Sequence, residues 1–259
     1  MPGPFDELPD RRDAPTWAHN LARIEPLQAR LGRVFARPAL LRVALTHPTW
    51  ANEHVRSGWP SNAALEFFGD AVLDLLATEA LWRRFPGQPE GVLTRLHAAL
   101  VSEPALAAAA RSIEIGPLLW VAHDKSDLRD HAGALADAAE AILGAAYLDA
   151  REAGRDPLVA AGAVFEALLG AQVAAIGVDD GKPAKARLQE WVQARPGHAL
   201  RYAPLVDRAP GGPAGWKVLA EVTGPEGQVL ARGEGEGPGR RAAETAAAEV
   251  ALAQLAARA

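Results

Sequence analysis

From about residue 17 to residue 175 the apolar positions recur at helical spacing, and strand signals are sparse. Residues 17–31 predict an amphipathic helix in which Pro26 marks a kink or boundary. Residues 38–44 predict a short helix with proline near its start. A long apolar-rich helix over 61–85 stops at Pro86-Gly87, and another over 90–115 stops at Gly116-Pro117. Residues 121–131 are polar and loop-like; helices over 135–148 and 157–175 complete a bundle. The pattern then changes. Val178-Asp179-Asp180-Gly181-Lys182-Pro183 reads as a linker. A helix over 184–194 follows, then strand-like runs over 200–206, 216–223 and 228–233. Gly211-Gly212-Pro213 and Gly224-Pro225-Glu226-Gly227 separate the strands, and an alanine-rich helix over 240–257 ends the chain. The expected architecture is an all-α helical bundle (17–176), a linker (177–183) and a small α+β domain of order α-β-β-β-α (184–259).

Composition narrows the chemistry. Hydrophobic residues make up 49% of the 259, enough for a core. The chain has no cysteine, which removes disulfides and thiolate sites and suits a reducing cytoplasm. Residues 1–17 are polar, with no apolar signal-peptide core, and no apolar run is expected to approach the roughly 18 residues that span a bilayer. A soluble cytoplasmic protein with no membrane partner is expected. The net charge of −5 argues weakly against nucleic acid, but its distribution is uneven. Residues 179–259 hold 11 Lys/Arg against 10 Asp/Glu, so the acidic excess lies upstream.

Two acidic pairs stand out within that upstream part. Glu66 and Asp70 are spaced i, i+4 in Asn62-Ala63-Ala64-Leu65-Glu66-Phe67-Phe68-Gly69-Asp70. Asp137 and Glu140 are spaced i, i+3 in Leu135-Ala136-Asp137-Ala138-Ala139-Glu140-Ala141. On helices each pair projects from one face. An isolated acid pair is usually solvated surface, but all four acids sit in Ala/Leu/Phe-rich segments, Glu66 and Asp70 among Leu65, Phe67, Phe68 and Val72, where charge is costly to bury. Two unit charges at 4 Å repel by about 4 kcal/mol at an effective dielectric near 20. Hard divalent cations relieve such repulsion, with Mg²⁺ the first expectation for an oxygen-only site. The seven histidines are scattered, form no ligand pair at helical spacing and suggest no nucleophilic triad; His47 is expected to be structural.

These acidic stretches, together with Ala44-Leu45-Thr46-His47-Pro48-Thr49-Trp50-Ala51-Asn52-Glu53, residues 90–101 and residues 135–149, resemble ribonuclease III, the double-strand-specific endoribonuclease. The order and separations match over about residues 30–257. The resemblance implies that Glu66, Asp70, Asp137 and Glu140 bind Mg²⁺, with Mn²⁺ able to substitute. It makes Asp70 and Glu140 the catalytic acids and Glu90 an outer acid of the site. It also implies a homodimer in which Phe67 packs into the partner, cleavage to 5′-phosphate and 3′-hydroxyl ends, and processing of ribosomal and other RNA precursors. Residues 185–257 resemble a double-stranded RNA-binding domain. Lys185, Gln189 and Glu190 match its first helix, and Arg240 and Arg241 match the entry to its second. Cations at a helix N-terminus oppose its dipole, a conflict that a facing phosphate removes.

The chain also departs from the family. Ala63 and Ala64 replace a usual Glu-Arg, Asp127-Leu128 replaces two glycines, and Gly212-Pro213-Ala214-Gly215 lacks the usual histidine. Weaker RNA binding follows from the last of these. Two other functions fit parts of the chain. A non-catalytic RNA-binding protein would explain the loss at Ala63, and a helical Mg²⁺-dependent nucleotide pyrophosphohydrolase would explain the acids but not the C-terminal module.

Overall fold

Ten α-helices and three strands are formed over the residues described by the computed structural model, 15–206 and 215–257. In the first unit these are α1 (Pro15–Arg30), α2 (Pro38–Ala44), α3 (Pro48–Glu53), α4 (Ala63–Arg84), α5 (Glu90–Leu100), α6 (Glu103–Ser112), α7 (Ala132–Glu152) and α8 (Pro157–Ala175). The second holds α9 (Ala184–Gln193), β1 (Ala199–Val206), β2 (Trp216–Thr223), β3 (Val229–Gly237) and α10 (Arg240–Ala256). The first unit ends at Asp180 and the second begins at Gly181. The architecture is thus a helical bundle followed by an α-β-β-β-α module.

Helix α7 is the axis of the bundle, packed on by α2, α4, α6 and α8. Its alanines, among them Ala134, Ala138, Ala141 and Ala145, are buried, and small side chains let the neighbours approach closely. A buried acid at its far end, Asp149, is fully partnered. It accepts from the Arg33 guanidinium (2.7 Å) and from the backbone N–H groups of Ala36 (3.2 Å) and Arg37 (2.7 Å), pinning the segment that leads into α2.

Several sequence expectations are corrected here. Of the kink or boundary expected at Pro26, the boundary is ruled out, since the one helix α1 runs on to Arg30. The single helix expected over 90–115 is two, because Ser102 adopts an extended conformation (ψ 148°) and Pro104 sits in the first turn of α6. Proline lacks an N–H and disfavours continuation of the preceding turn, so it starts a new helix. Helix α3 was not expected; Pro48 opens it, and the His47 side chain caps it by accepting from Thr49 N–H at 3.2 Å. Helix α7 begins three residues earlier than expected, and the polar loop before it holds a short 3-10 turn at Ser126–Arg129. One helix among the described residues, α8, is long and apolar enough to cross a membrane, with mean hydropathy 1.8, contrary to the expectation that no run comes close. Its stripe of Ala160, Ala161, Val164, Phe165, Leu168 and Leu169 is buried in the bundle. Core packing therefore accounts for about a third of that apolar window.

In the second unit the sheet is antiparallel in the order β1-β2-β3, with Arg201, Glu221 and Arg232 aligned across it. Helix α10 lies on its inner face through Ala243, Ala247, Ala248, Ala251 and Leu255. The turn at 224–227 closes through Gly227 N–H donating to Gly224 O at 3.0 Å. The turn expected at Gly211-Gly212-Pro213 lies outside the described residues, as does most of the following departure at 212–215.

Candidate active site

The site is made where α4 crosses α7. A Cβ on Gly69 would lie 1.8 Å from the carbonyl oxygen of Glu140, and one on Gly144 would lie 2.5 Å from that of Leu65. The two backbones therefore touch, which only glycine at both positions permits. That contact carries Glu66 and Asp70 on α4 up against Asp137 and Glu140 on α7.

The electrostatics record the proximity. Glu140 is pushed up to about 7, first by burial and then by Asp70, Asp137, Glu66 and Asp74, all anions. Burial raises Glu66 as well, with Asp137 and Asp70 adding to it. Asp137 is raised by burial, with Glu103 adding, while His47 and His131 pull the other way. The four acids are less enclosed than their apolar flanks suggest: Asp70 is exposed and the other three are half-buried, so the site opens to solvent. Among the described residues no group of three or more His, Asp or Glu side chains forms a metal-holding arrangement as it stands. The donor set itself, all oxygen and anionic, suits a hard divalent cation.

The remaining expected residues fall in two places. Glu90 is the first residue of α5 and accepts from Thr94 Oγ1 at 2.7 Å. It lines a cleft of about 630 Å³ with Asp74, Trp82, Gln88 and His97, beside the inner acids. Phe67 is 84% exposed on α4, in company with Leu75 and Trp82, which are also exposed. In the second unit, Lys185 on α9 and Arg240 on α10 both bind Glu244, at 2.6 and 2.9 Å. Glu190 pairs with Lys182, while Gln189 and Arg241 are exposed. At Gly215 a Cβ would lie 2.6 Å from Gly237 O, so the family's histidine does not fit there without a shift of the strand end.

Sequence reasoning passed over several participants. Asp74 extends the Glu66–Asp70 row by one more helical turn and was legible from that spacing; His97 Nε2 faces it at 3.4 Å. His47 and His131 both act on Asp137, so His47 joins its capping role to a place beside the acids. Glu103 and Glu244 gave no signal of their own, because only tertiary packing brings them to their partners.

The Ribonuclease-III-like family profile matches residues 37–159. A protein named Ribonuclease 3 from Xylella fastidiosa is 38% identical over 233 residues, covering 88% of this chain and 94% of its own. Another from Dechloromonas aromatica is 38% identical and covers 87% and 96%. A third, from Pelotomaculum thermopropionicum, is 35% identical over 247 residues and covers 95% of each. Among solved structures, the nuclease domain of the Campylobacter jejuni ribonuclease III aligns with a TM-score of 0.47 at 31% identity, over 62% of this chain and 99% of that one.

Proposed function

Since the chain belongs to the ribonuclease III family and is an endoribonuclease, we propose that it hydrolyses phosphodiesters of double-stranded RNA in a Mg²⁺-dependent reaction. The observation that carries this is the α4–α7 contact at Gly69 and Gly144, which brings acids from two segments so close that Asp70, Asp137 and Glu66 all add to the rise of Glu140. Glu66, Asp70, Asp137 and Glu140 would hold Mg²⁺, with Mn²⁺ able to replace it. When bound, the ion supplies positive charge that polarises the phosphodiester and activates water. The chain's own contribution is positional. The glycine contact fixes the acids relative to one another, the open face around Asp70 admits a backbone phosphate, and Glu90 and Asp74 bound the cleft beside it. Water adds to phosphorus, the P–O3′ bond breaks and a proton passes to the 3′-oxygen, leaving 5′-phosphate and 3′-hydroxyl ends.

One site cuts one strand, so cutting both calls for two. The exposed apolar edge of α4, Phe67 with Leu75 and Trp82, supports a homodimer. The second unit supplies affinity through Lys185, Gln189, Glu190, Arg240 and Arg241, which meet phosphates and 2′-hydroxyls rather than base edges. Precursors of ribosomal RNA in the cytoplasm are the proposed substrates, with no membrane partner. The test is cleavage of an end-labelled RNA duplex with Mg²⁺ and with EDTA, by the wild type and by Glu140→Ala. Mg²⁺-dependent cutting that Glu140→Ala abolishes, with duplex binding kept, supports the proposal. Binding without cleavage by the wild type, across several duplexes, contradicts it in favour of a non-catalytic RNA-binding protein.

A further inference from the structure

The second unit contains a charge that looks misplaced on an RNA-binding face. Glu244 is 7% exposed, on the side of α10 that carries the buried Ala243, Ala247 and Ala248. A carboxylate at that depth requires charged partners. It has two, from different elements: Oε2 accepts from Lys185 Nζ of α9 at 2.6 Å, and Oε1 accepts from Arg240 Nε of α10 at 2.9 Å. The Lys185 ammonium also lies 5.3 Å from the ring centre of Tyr202 on β1.

One anion facing two cations leaves a surplus positive charge, and the donor count shows where it is directed. Arg240 meets Glu244 through its Nε, and its side chain is 61% exposed. Lys185 carries three N–H donors and remains 39% exposed. The carboxylate thus takes one donor from each cation and ties α9 to the start of α10. Both cations would otherwise be long, freely rotating side chains, which lose conformational freedom on binding.

We propose that Glu244 is a positioning residue for duplex RNA, clamping Lys185 and Arg240 so that their remaining N–H donors present one preformed phosphate-binding pair. This rests on the duplex-RNA reading of the second unit. It makes a prediction opposite in sign to simple charge counting, in which an acid among basic residues repels phosphate and its removal tightens binding.

The test measures affinity of the full chain for a duplex RNA over a salt series, by fluorescence anisotropy in EDTA, which prevents Mg²⁺-dependent cutting. Wild-type binding comes first; its absence overturns the duplex-RNA reading itself. With wild-type binding established, Glu244→Gln should weaken affinity about 10-fold and flatten the plot of log K against log salt by about one phosphate contact. In cleavage assays its KM should rise more than its kcat falls. Unchanged or tighter binding by a Glu244→Gln protein that melts like the wild type overturns the inference alone. Should Glu244→Gln unfold the unit, Arg240→Lys decides the matter, because it keeps the charge but cannot donate to Glu244 and present a planar fork together. A several-fold loss of affinity upholds the clamp, and wild-type affinity refutes it.

Discussion

Glu140 and Glu244 are the same residue type, each on a helix face that packs inward, yet their surroundings drive them in opposite directions. Burial and four neighbouring anions push Glu140 up to about 7. Hydrogen bonds from Lys185 and Arg240 hold Glu244 below the usual carboxylate range despite its burial. One site has its cations built into the chain; the other gathers anions, and among the described residues no lysine or arginine answers Glu140. Asp149 makes a third case, a buried acid satisfied by Arg33 and two backbone N–H groups that serves the fold. What separates Glu140 from Asp149 and Glu244 is that its charged neighbours are anions rather than hydrogen-bonding cations.

The strongest way to break this contrast is Glu140→Gln, which removes the charge while keeping the shape. Cleavage of duplex RNA should fall by about 10²–10³-fold or more, the scale of losing one charge-stabilising group, while duplex affinity stays at the wild-type level. Gly69→Ala attacks the geometry instead of the charge. Alanine gains about 1 kcal/mol in helix propensity, but its Cβ would meet Glu140 O at 1.8 Å, and overpacking of a backbone contact costs about 2–4 kcal/mol. A net loss of thermal stability together with lost cleavage is the expected outcome, read by melting and by rate. Smaller again, Arg240→Ala with Arg241→Ala should lower affinity about 10-fold and reduce the salt slope by about 2. An unchanged slope would mean that both arginines face solvent.

The smallest effect sharpens the contrast through pH. Glu140 has a raised folded-state pKa, so in metal-free protein its contribution to stability is fully present below about 4.5 and is lost as pH rises through about 7. Glu244 has a lowered one, so its contribution is present above the ordinary carboxylate value and is lost as pH falls below it. In EDTA, Glu140→Gln should therefore raise the melting temperature at pH 7.5 by a few degrees, about 1 kcal/mol once partial exposure is discounted. Added Mg²⁺ should erase most of that difference by stabilising the wild type.

Much of this was legible in the sequence because the acids sit at fixed helical offsets. The spacing of Glu66, Asp70, Asp137 and Glu140 required only that their segments be helical, and both are. Asp74 was equally legible, one turn beyond Asp70 and flanked by Leu73 and Leu75, but it lies just outside the 62–70 stretch that carried the resemblance. The break between α5 and α6 was written in Pro104, and a continuous alanine-rich apolar pattern hid it. Helix α3 is short and capped by His47, a residue outside the usual capping set, so propensity offered no sign of it. Glu244 lay in plain view within the segment matched to RNA binding. Its role was invisible because Lys185 stands 59 positions away and only the packing of α9 against α10 joins them.

The central claim is that Glu66, Asp70, Asp137 and Glu140 together hold a divalent cation. A crystal grown with Mn²⁺ and measured at the manganese absorption edge tests it most directly. An anomalous peak is expected at the α4–α7 crossing, within coordination distance of carboxylate oxygens from both helices. A well-ordered site with those four side chains and no peak among them would contradict it.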